Sequence, residues 1–227
     1  MGRAVAIIAA LALAAIVAAG VWFYLSLDQL VKRAIESYVP EIIGASVELD
    51  EVRLSATAGI GALRNLRIGN PKGFRAPHSA TVGTIELALA PATVTKDVVL
   101  VNRIAVVNPS ITYEPGKMGS NFDVIQRNVE RYLGPAAGDK RSASKKLIVE
   151  TFTIRGAHVT YAPSVGRGSA TISFNLPDIE LHNVGKNRGG VTAGELAKIV
   201  VDALVTRIAE AMGRAAIQRG LGDILKR

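Results

Sequence analysis

The chain has 227 residues, a formal net charge of +8, three histidines and no cysteine. These numbers exclude a disulfide framework and any cysteine-based zinc centre, and the length suits one domain with a proper core better than two. A basic balance points to anionic partners. With only 5% aromatic residues there is no stacking array for nucleic acid, so the phospholipid bilayer is the partner expected and nucleic acid is not.

Residues 1–27 read as a transmembrane anchor. From Ala4 through Ile7, Leu11 and Ile16 to Leu27 no side chain is ionisable except the Tyr24 phenol. At about 1.5 Å per residue this run is roughly 36 Å long as a helix, enough to cross a hydrocarbon core of about 30 Å. Trp22, Phe23 and Tyr24 sit at one end, where amphipathic rings settle at headgroup level. A cleaved secretory signal would have a core of roughly 7–15 residues and then a small-residue cleavage site, whereas here the run passes straight into a helical pattern. Arg3 precedes the span while Lys32 and Arg33 follow it, so counting charges does not orient it. The large mass on the C-terminal side places the N-terminus in the cytoplasm.

Residues 28–44 form an amphipathic juxtamembrane helix with an apolar stripe of Leu27, Leu30, Val31, Ala34, Ile35, Tyr38 and Ile42. Pro40 is expected to end it near Val39. Residues 45–190 then alternate with period two, as half-buried strands do. Val47/Leu49 and Val52/Leu54 are out of phase, which predicts a bend. Further strands are expected at 80–90, 98–107 and around Ile111/Tyr113. A helix is expected over 122–133, with Phe122, Ile125, Val129 and Leu133 as its buried stripe, capped by Ser120 or Asn121 with Asp123 in its first turn, and then a mobile loop over 134–146. The last strand, 169–181, contains Pro177, which predicts an edge strand or a bend there. Residues 191–227 are a C-terminal amphipathic helix, opened by the capping box Thr192–Glu195 and ended at Gly220 and Gly222. Its stripe includes Leu196, Ile199, Val200, Leu204, Ile208 and Met212, which either packs on the domain or meets a partner helix.

One internal repeat appears. Val101 to Tyr113 aligns without gaps on Val149 to Tyr161, 48 positions apart, matching Ile104 with Phe152, Val106 with Ile154, and Tyr113 with Tyr161. Such a unit points to a sheet whose neighbours share one apolar face. The predicted fold is α+β: a transmembrane helix, then a curved, mainly antiparallel sheet of about eight strands with amphipathic helices packed on or across it. No catalytic constellation accompanies it. His78, His158 and His182 have no partner at metal-ligand spacing, Gly59-Ile-Gly61 is a lone Gly-x-Gly between strands, and Asp50-Glu51 reads as a solvated strand face. The sequence therefore predicts no enzyme, no cofactor and no metal.

The segment Leu63-Arg-Asn-Leu-Arg-Ile-Gly-Asn-Pro-Lys-Gly-Phe74, the run Asn108-Pro-Ser-Ile-Thr-Tyr-Glu114, the helix start Gly119-Ser-Asn-Phe-Asp123 and Leu176-Pro-Asp-Ile179, behind a single N-terminal span, resemble the AsmA family of bacterial envelope proteins. The resemblance covers most of residues 1–185. It implies a single-pass protein of the bacterial inner membrane with its main domain in the periplasm, related to bridge-like lipid transfer proteins with an apolar trough. Two functions are expected. One is lipid handling or outer-envelope biogenesis, with a bound lipid in a groove lined by Ile85, Leu87, Leu89, Val99, Val101, Ile104, Val106, Phe152, Ile154, Ile172 and Phe174. The other is a non-enzymatic accessory subunit docked on an inner-membrane or periplasmic protein. A groove plugged by the C-terminal helix favours the second.

Overall fold

The computed structural model describes residues 27–117, 119–134, 145–162 and 172–224, with side chains of the last helix described as far as residue 214. The anchor from Ala4 to Leu27 lies outside the described residues except at Leu27, as does 135–144, the bulk of the expected loop. Among the described residues, no helix is long and apolar enough to cross a membrane.

In chain order the elements are helix α1 (27–43), strands β1 (Val47–Ser55), β2 (Ile60–Gly69), β3 (His78–Leu89), β4 (Val98–Val107) and β5 (Ser110–Tyr113), the two-residue strands β6 (Pro115–Gly116) and β7 (Gly119–Ser120), helix α2 (Asn121–Tyr132), strands β8 (Lys146–Arg155), β9 (His158–Tyr161), β10 (Ile172–Asn175) and β11 (Ile179–Val184), and helix α3 (Ala193–Ile224). The fold is α+β, with a curled mixed sheet and three helices. Among the described residues, β6 and β7 pair with each other and the other nine strands form one sheet. Three pairs run end to end, so the sheet has six rows: β1, β2, β3, β4 with β5, β8 with β9, and β11 with β10.

Most neighbouring rows are antiparallel, as expected, but one seam is parallel. β4 runs beside β8, and β5 beside β9, pairing Val101 with Val149, Ile104 with Phe152, Val106 with Ile154 and Tyr113 with Tyr161. The sequence repeat is thus the ladder itself, every residue facing the one 48 positions on. Parallel neighbours need a long crossover, and α2 supplies it. Ser120 caps α2 through a reciprocal box: the Asp123 N–H donates to Ser120 Oγ (3.1 Å) and the Ser120 N–H to Asp123 Oδ2 (2.6 Å). Its expected stripe is buried at Phe122, Ile125 and Val129.

Both repeat copies bend at the same place. Asn108 and Gly156 hold left-handed backbone (φ 48° and 62°), and the sixth row, β11 with β10, breaks at Pro177. The expected strand over 169–181 is therefore two edge strands folded about a crease. Backbone bonds cross it: Asn108 N–H to Arg155 O (2.8 Å), His158 N–H to Pro109 O (2.9 Å) and Leu176 N–H to Ala157 O (2.9 Å). The phase change in β1 is also present, with Val47, Leu49 and Val52 buried and Asp50 exposed.

Two helix expectations are corrected. α1 continues past Pro40 to residue 43, because a proline in the last turn forfeits one hydrogen bond rather than several. The end is held instead by Gly44, whose N–H donates to Pro40 O (2.9 Å) at φ 68°, and by Asn128 Nδ2, which donates to Ile43 O (3.0 Å). α3 runs 32 residues, through Gly220 and Gly222 to Ile224. An isolated helical glycine costs about 1 kcal/mol relative to alanine without ending the helix. The capping box at its start is as expected, with Thr192 N–H donating to Glu195 Oε2 (2.8 Å) and Glu195 N–H to Thr192 Oγ1 (3.3 Å).

A methyl group on Gly156 would overlap Asn108 Oδ1, and the left-handed backbone already disfavours a side chain there. Gly156→Ala is expected to lower unfolding free energy by about 2 kcal/mol or more. Gly83→Ala, in open space on β3, should change it by no more than about 0.5 kcal/mol. Denaturant unfolding in mild detergent measures both.

Candidate functional site

The groove residues expected on β3, β4 and β8 do share one face. Ile85 pairs with Val106, Leu87 with Ile104 and Leu89 with Val101, and Ile104 and Val106 then pair with Phe152 and Ile154. That face is covered. Val101, Val106, Phe152 and Ile154 are buried in one cluster with Phe122, Ile125 and Val129 of α2 and with Leu204, Ile208 and Ala211 of α3. Ile85, Leu87, Val99, Ile104 and Phe174 are half-buried against it. Leu89 and Ile172 are half-buried outside it. The stripe offered to a partner helix serves the same cluster: Leu196, Ile199, Val200 and Met212 pack on it from α3, and Ile208 is 1% exposed.

α2 and α3 are held together in an antiparallel pair at their polar margin. Gln126 Nε2 donates to Asp202 Oδ1 (2.7 Å), and Lys198 Nζ donates to Asp202 Oδ2 (2.9 Å) and Glu130 Oε1 (3.2 Å). These carboxylates, Asp202 foremost, raise the Lys198 pKa and keep the ammonium charged.

α1 lies along the outer edge of β1, rotated from the expected stripe. Ile35 and Ile42 of that stripe meet the core, but Leu30 and Tyr38 are 45% and 64% exposed, and Asp28, Lys32 and Glu36 face the strand. Asp28 Oδ1 accepts from Leu54 N–H (2.9 Å), Glu36 Oε1 from Leu49 N–H (2.9 Å), and Lys32 Nζ donates to Asp50 O (3.2 Å). Free edge groups of the sheet are thereby satisfied by charged side chains at one helical spacing. Between α1 and the β1–β2 hairpin opens a cleft of about 770 Å³, lined by Asp28, Lys32, Asp50 and Arg53 together with Val52, Leu54 and Ile60. Asp50 is exposed there. Arg67, with Asn65, holds its carboxyl below the usual carboxylate range. This lining is mixed and charged, unlike a tunnel for an acyl chain.

Three of the four motif segments singled out in the sequence, 63–74, 108–114 and 119–123, meet in a buried polar knot. The Glu114 side chain, 2% exposed, accepts from Arg75 N–H (2.9 and 3.0 Å) and Ala76 N–H (2.9 Å). Asn121 Nδ2 donates to Asn70 Oδ1 (2.7 Å) and Thr112 O (2.8 Å), while its Oδ1 accepts from Glu114 N–H (3.0 Å). Asn70 Nδ2 closes the circuit on Ala76 O (2.7 Å). The partners are internal, so the knot ties the turn 70–77 to the start of α2 and presents nothing to a ligand. Glu114 and Asn121 were legible as motif letters but not as a joint. His158 is exposed, its Nδ1 3.0 Å from Asn175 Oδ1, and His182 lies 3.8 Å from Glu180. Among the described residues, no group of histidine and carboxylate side chains could hold a metal ion.

Ile208→Ala is expected to destabilise the fold by about 2–4 kcal/mol, whereas Ile60→Ala, at a side chain 59% exposed, should cost no more than about 0.5 kcal/mol. Glu36→Ala should speed amide exchange at Leu49 by about tenfold or more while leaving Val149 unchanged, since it removes one charge-assisted bond of about 1.5–3 kcal/mol. No protein-family model matches this chain, and no curated protein matches it at a significant level, so its functional reading rests on its own residues and geometry.

Proposed function

We propose that this chain is a membrane-tethered, non-enzymatic accessory module of the bacterial envelope. In this reading Ala4–Leu27 anchors it in the inner membrane, and the curled domain on the periplasmic side docks on another protein of that membrane. The observation that carries the reading is the burial of the sheet's apolar face beneath α2 and α3. A lipid carrier needs that face open, and here Val101, Val106, Phe152 and Ile154 are buried in one cluster with Ile208 and Val129. Prising α3 off would re-expose several large apolar side chains, each worth about 1.5–3 kcal/mol when buried. An occupied trough is therefore the costlier state. The chemistry of the site agrees with a binding role: its charged groups are paired with one another or with the backbone, as in the β1 edge and the buried knot.

Native mass spectrometry of the detergent-extracted protein tests this directly. The expected spectrum contains the chain with a second polypeptide and without retained phospholipid. A monomer carrying one phospholipid in fixed stoichiometry overturns the proposal in favour of lipid handling.

A further inference from the structure

One rim of the curled sheet collects the end of β1, the starts of β2, β4 and β8, and the ends of β3 and β11. The registers show it: Ser55 faces Ile60, Ile60 faces Ala88, Val98 faces Lys146, and Val184 faces Val149. Loop bonds join its turns, from Leu89 N–H to Gly59 O (2.7 Å), Lys146 N–H to Asp97 O (2.9 Å) and Leu147 N–H to Val191 O (2.7 Å). Lys145 Nζ donates to Val94 O across the same rim.

α1 starts at this rim. Its Asp28 accepts from Leu54, and its Glu36 from Leu49, so the helix runs antiparallel to β1 and its first residue lies beside the strand's end. The apolar run ending at Leu27 is therefore joined to the domain here and not at the opposite rim, where the turn 70–77 lies.

The chemistry of this rim matches what such a junction would meet. Among the described residues of the turns 56–59, 90–97, 145–146 and 185–190, Lys96, Lys145, Lys146, Lys186 and Arg188 are exposed and Asp97 is the only carboxylate, while Asp28 at the start of α1 is taken up by the Leu54 N–H. Exposed apolar side chains stand among them: Ile60 at 59% and Val94 at 44%. Cations around isolated apolar side chains suit an anionic headgroup layer, where each Lys or Arg near the surface contributes about 1 kcal/mol and short apolar groups enter the boundary. A protein partner would ask for a contiguous apolar patch, and these side chains are scattered singly among charges.

We propose that this rim is a second membrane contact, in which Lys96, Lys146, Lys186 and Arg188 seat the domain on an anionic phospholipid surface with Ile60 and Val94 dipping into it. The proposal rests on the reading of Ala4–Leu27 as an anchor, and it fixes which way up the domain stands.

The chain has no cysteine, so single labels are unambiguous. Full-length protein carrying Val94→Cys, or Lys72→Cys on the opposite rim, is labelled with bimane and reconstituted into vesicles bearing a headgroup-linked nitroxide quencher. With phosphatidylglycerol in the vesicles, quenching at position 94 is expected to exceed that at 72 by about threefold. It should fall to the level at 72 in pure phosphatidylcholine, at high salt, and in the Lys96→Gln, Lys146→Gln, Lys186→Gln, Arg188→Gln variant, because the attraction decays within a Debye length of about 8 Å. Equal quenching at the two positions, or a signal at 94 indifferent to lipid charge and salt, overturns the proposal. If the glutamine variant misfolds, the lipid and salt arms on the unaltered cations decide. Flotation separates the two readings: protein that fails to float with vesicles removes the anchor and this contact together, whereas protein that floats without the difference removes the contact alone.

Discussion

The parallel ladder between β4–β5 and β8–β9 governs the arrangement of this domain. Two segments of the same design lie side by side in register, each residue facing its counterpart 48 positions on. Parallel neighbours cannot be joined by a tight turn, so the chain must leave the sheet, cross it and return. That crossover is α2, and its apolar stripe of Phe122, Ile125 and Val129 has to lie on the shared apolar face. One cover is thus built into the connection. α3 completes it from the far side of β11, antiparallel to α2 and clamped to it through Asp202, Lys198 and Glu130.

The same repetition explains the crease. A residue at one place in the unit takes a left-handed conformation in both copies, as Asn108 in the first and Gly156 in the second, the two residue types that adopt it at least cost. Because the copies are adjacent, the two bends line up and reinforce each other, and the neighbouring row of β11 and β10 follows by breaking at Pro177. The bend divides the apolar face between two layers: Ile104, Phe152 and their neighbours on one side, and Ile111, Val159 and Phe174 on the other. A flat sheet would need a wider cover than α2 and α3 supply.

What the sequence disclosed and what it concealed divide along locality. Both capping boxes, the α2 stripe, the phase change in β1 and the break at Pro177 depend on residues a few positions apart, and each was readable. The repeat was readable as well. Its meaning as a parallel seam needed the further step that a helix between two like strands makes a crossover. The orientation of α1 was not readable, since Asp28 and Glu36 look like solvent-facing residues until an unpaired strand edge is placed beside them. Nor was the cover over Val101 and Phe152, because an open trough and a closed core have the same alternation. Glu114 was hidden for a similar reason: a carboxylate stays 2% exposed only where backbone donors converge on it, and those donors come from a turn nearly forty positions upstream.

The edge of β1 shows how α1 and the sheet become one mechanical object. An unprotected edge strand invites pairing with other chains, and here α1 shields it with polar side chains rather than apolar ones. The bonds from Leu49 and Leu54 to carboxylate side chains belong to a class worth about 1.5–3 kcal/mol each, well above an exposed ion pair. Two such bonds spaced along the helix, with Lys32 bridging to Asp50 between them, resist both sliding and swinging. Ile42 and Ile43 then enter the core, and Asn128 of α2 closes the helix end. A helix joined to the sheet through a flexible linker would let the domain tumble. One continuous with the sheet's edge transmits the direction of the helix axis to the whole sheet. In the proposed seating, this rigidity holds the basic rim at the start of that helix in one orientation, which gives the placement of its lysines a consequence.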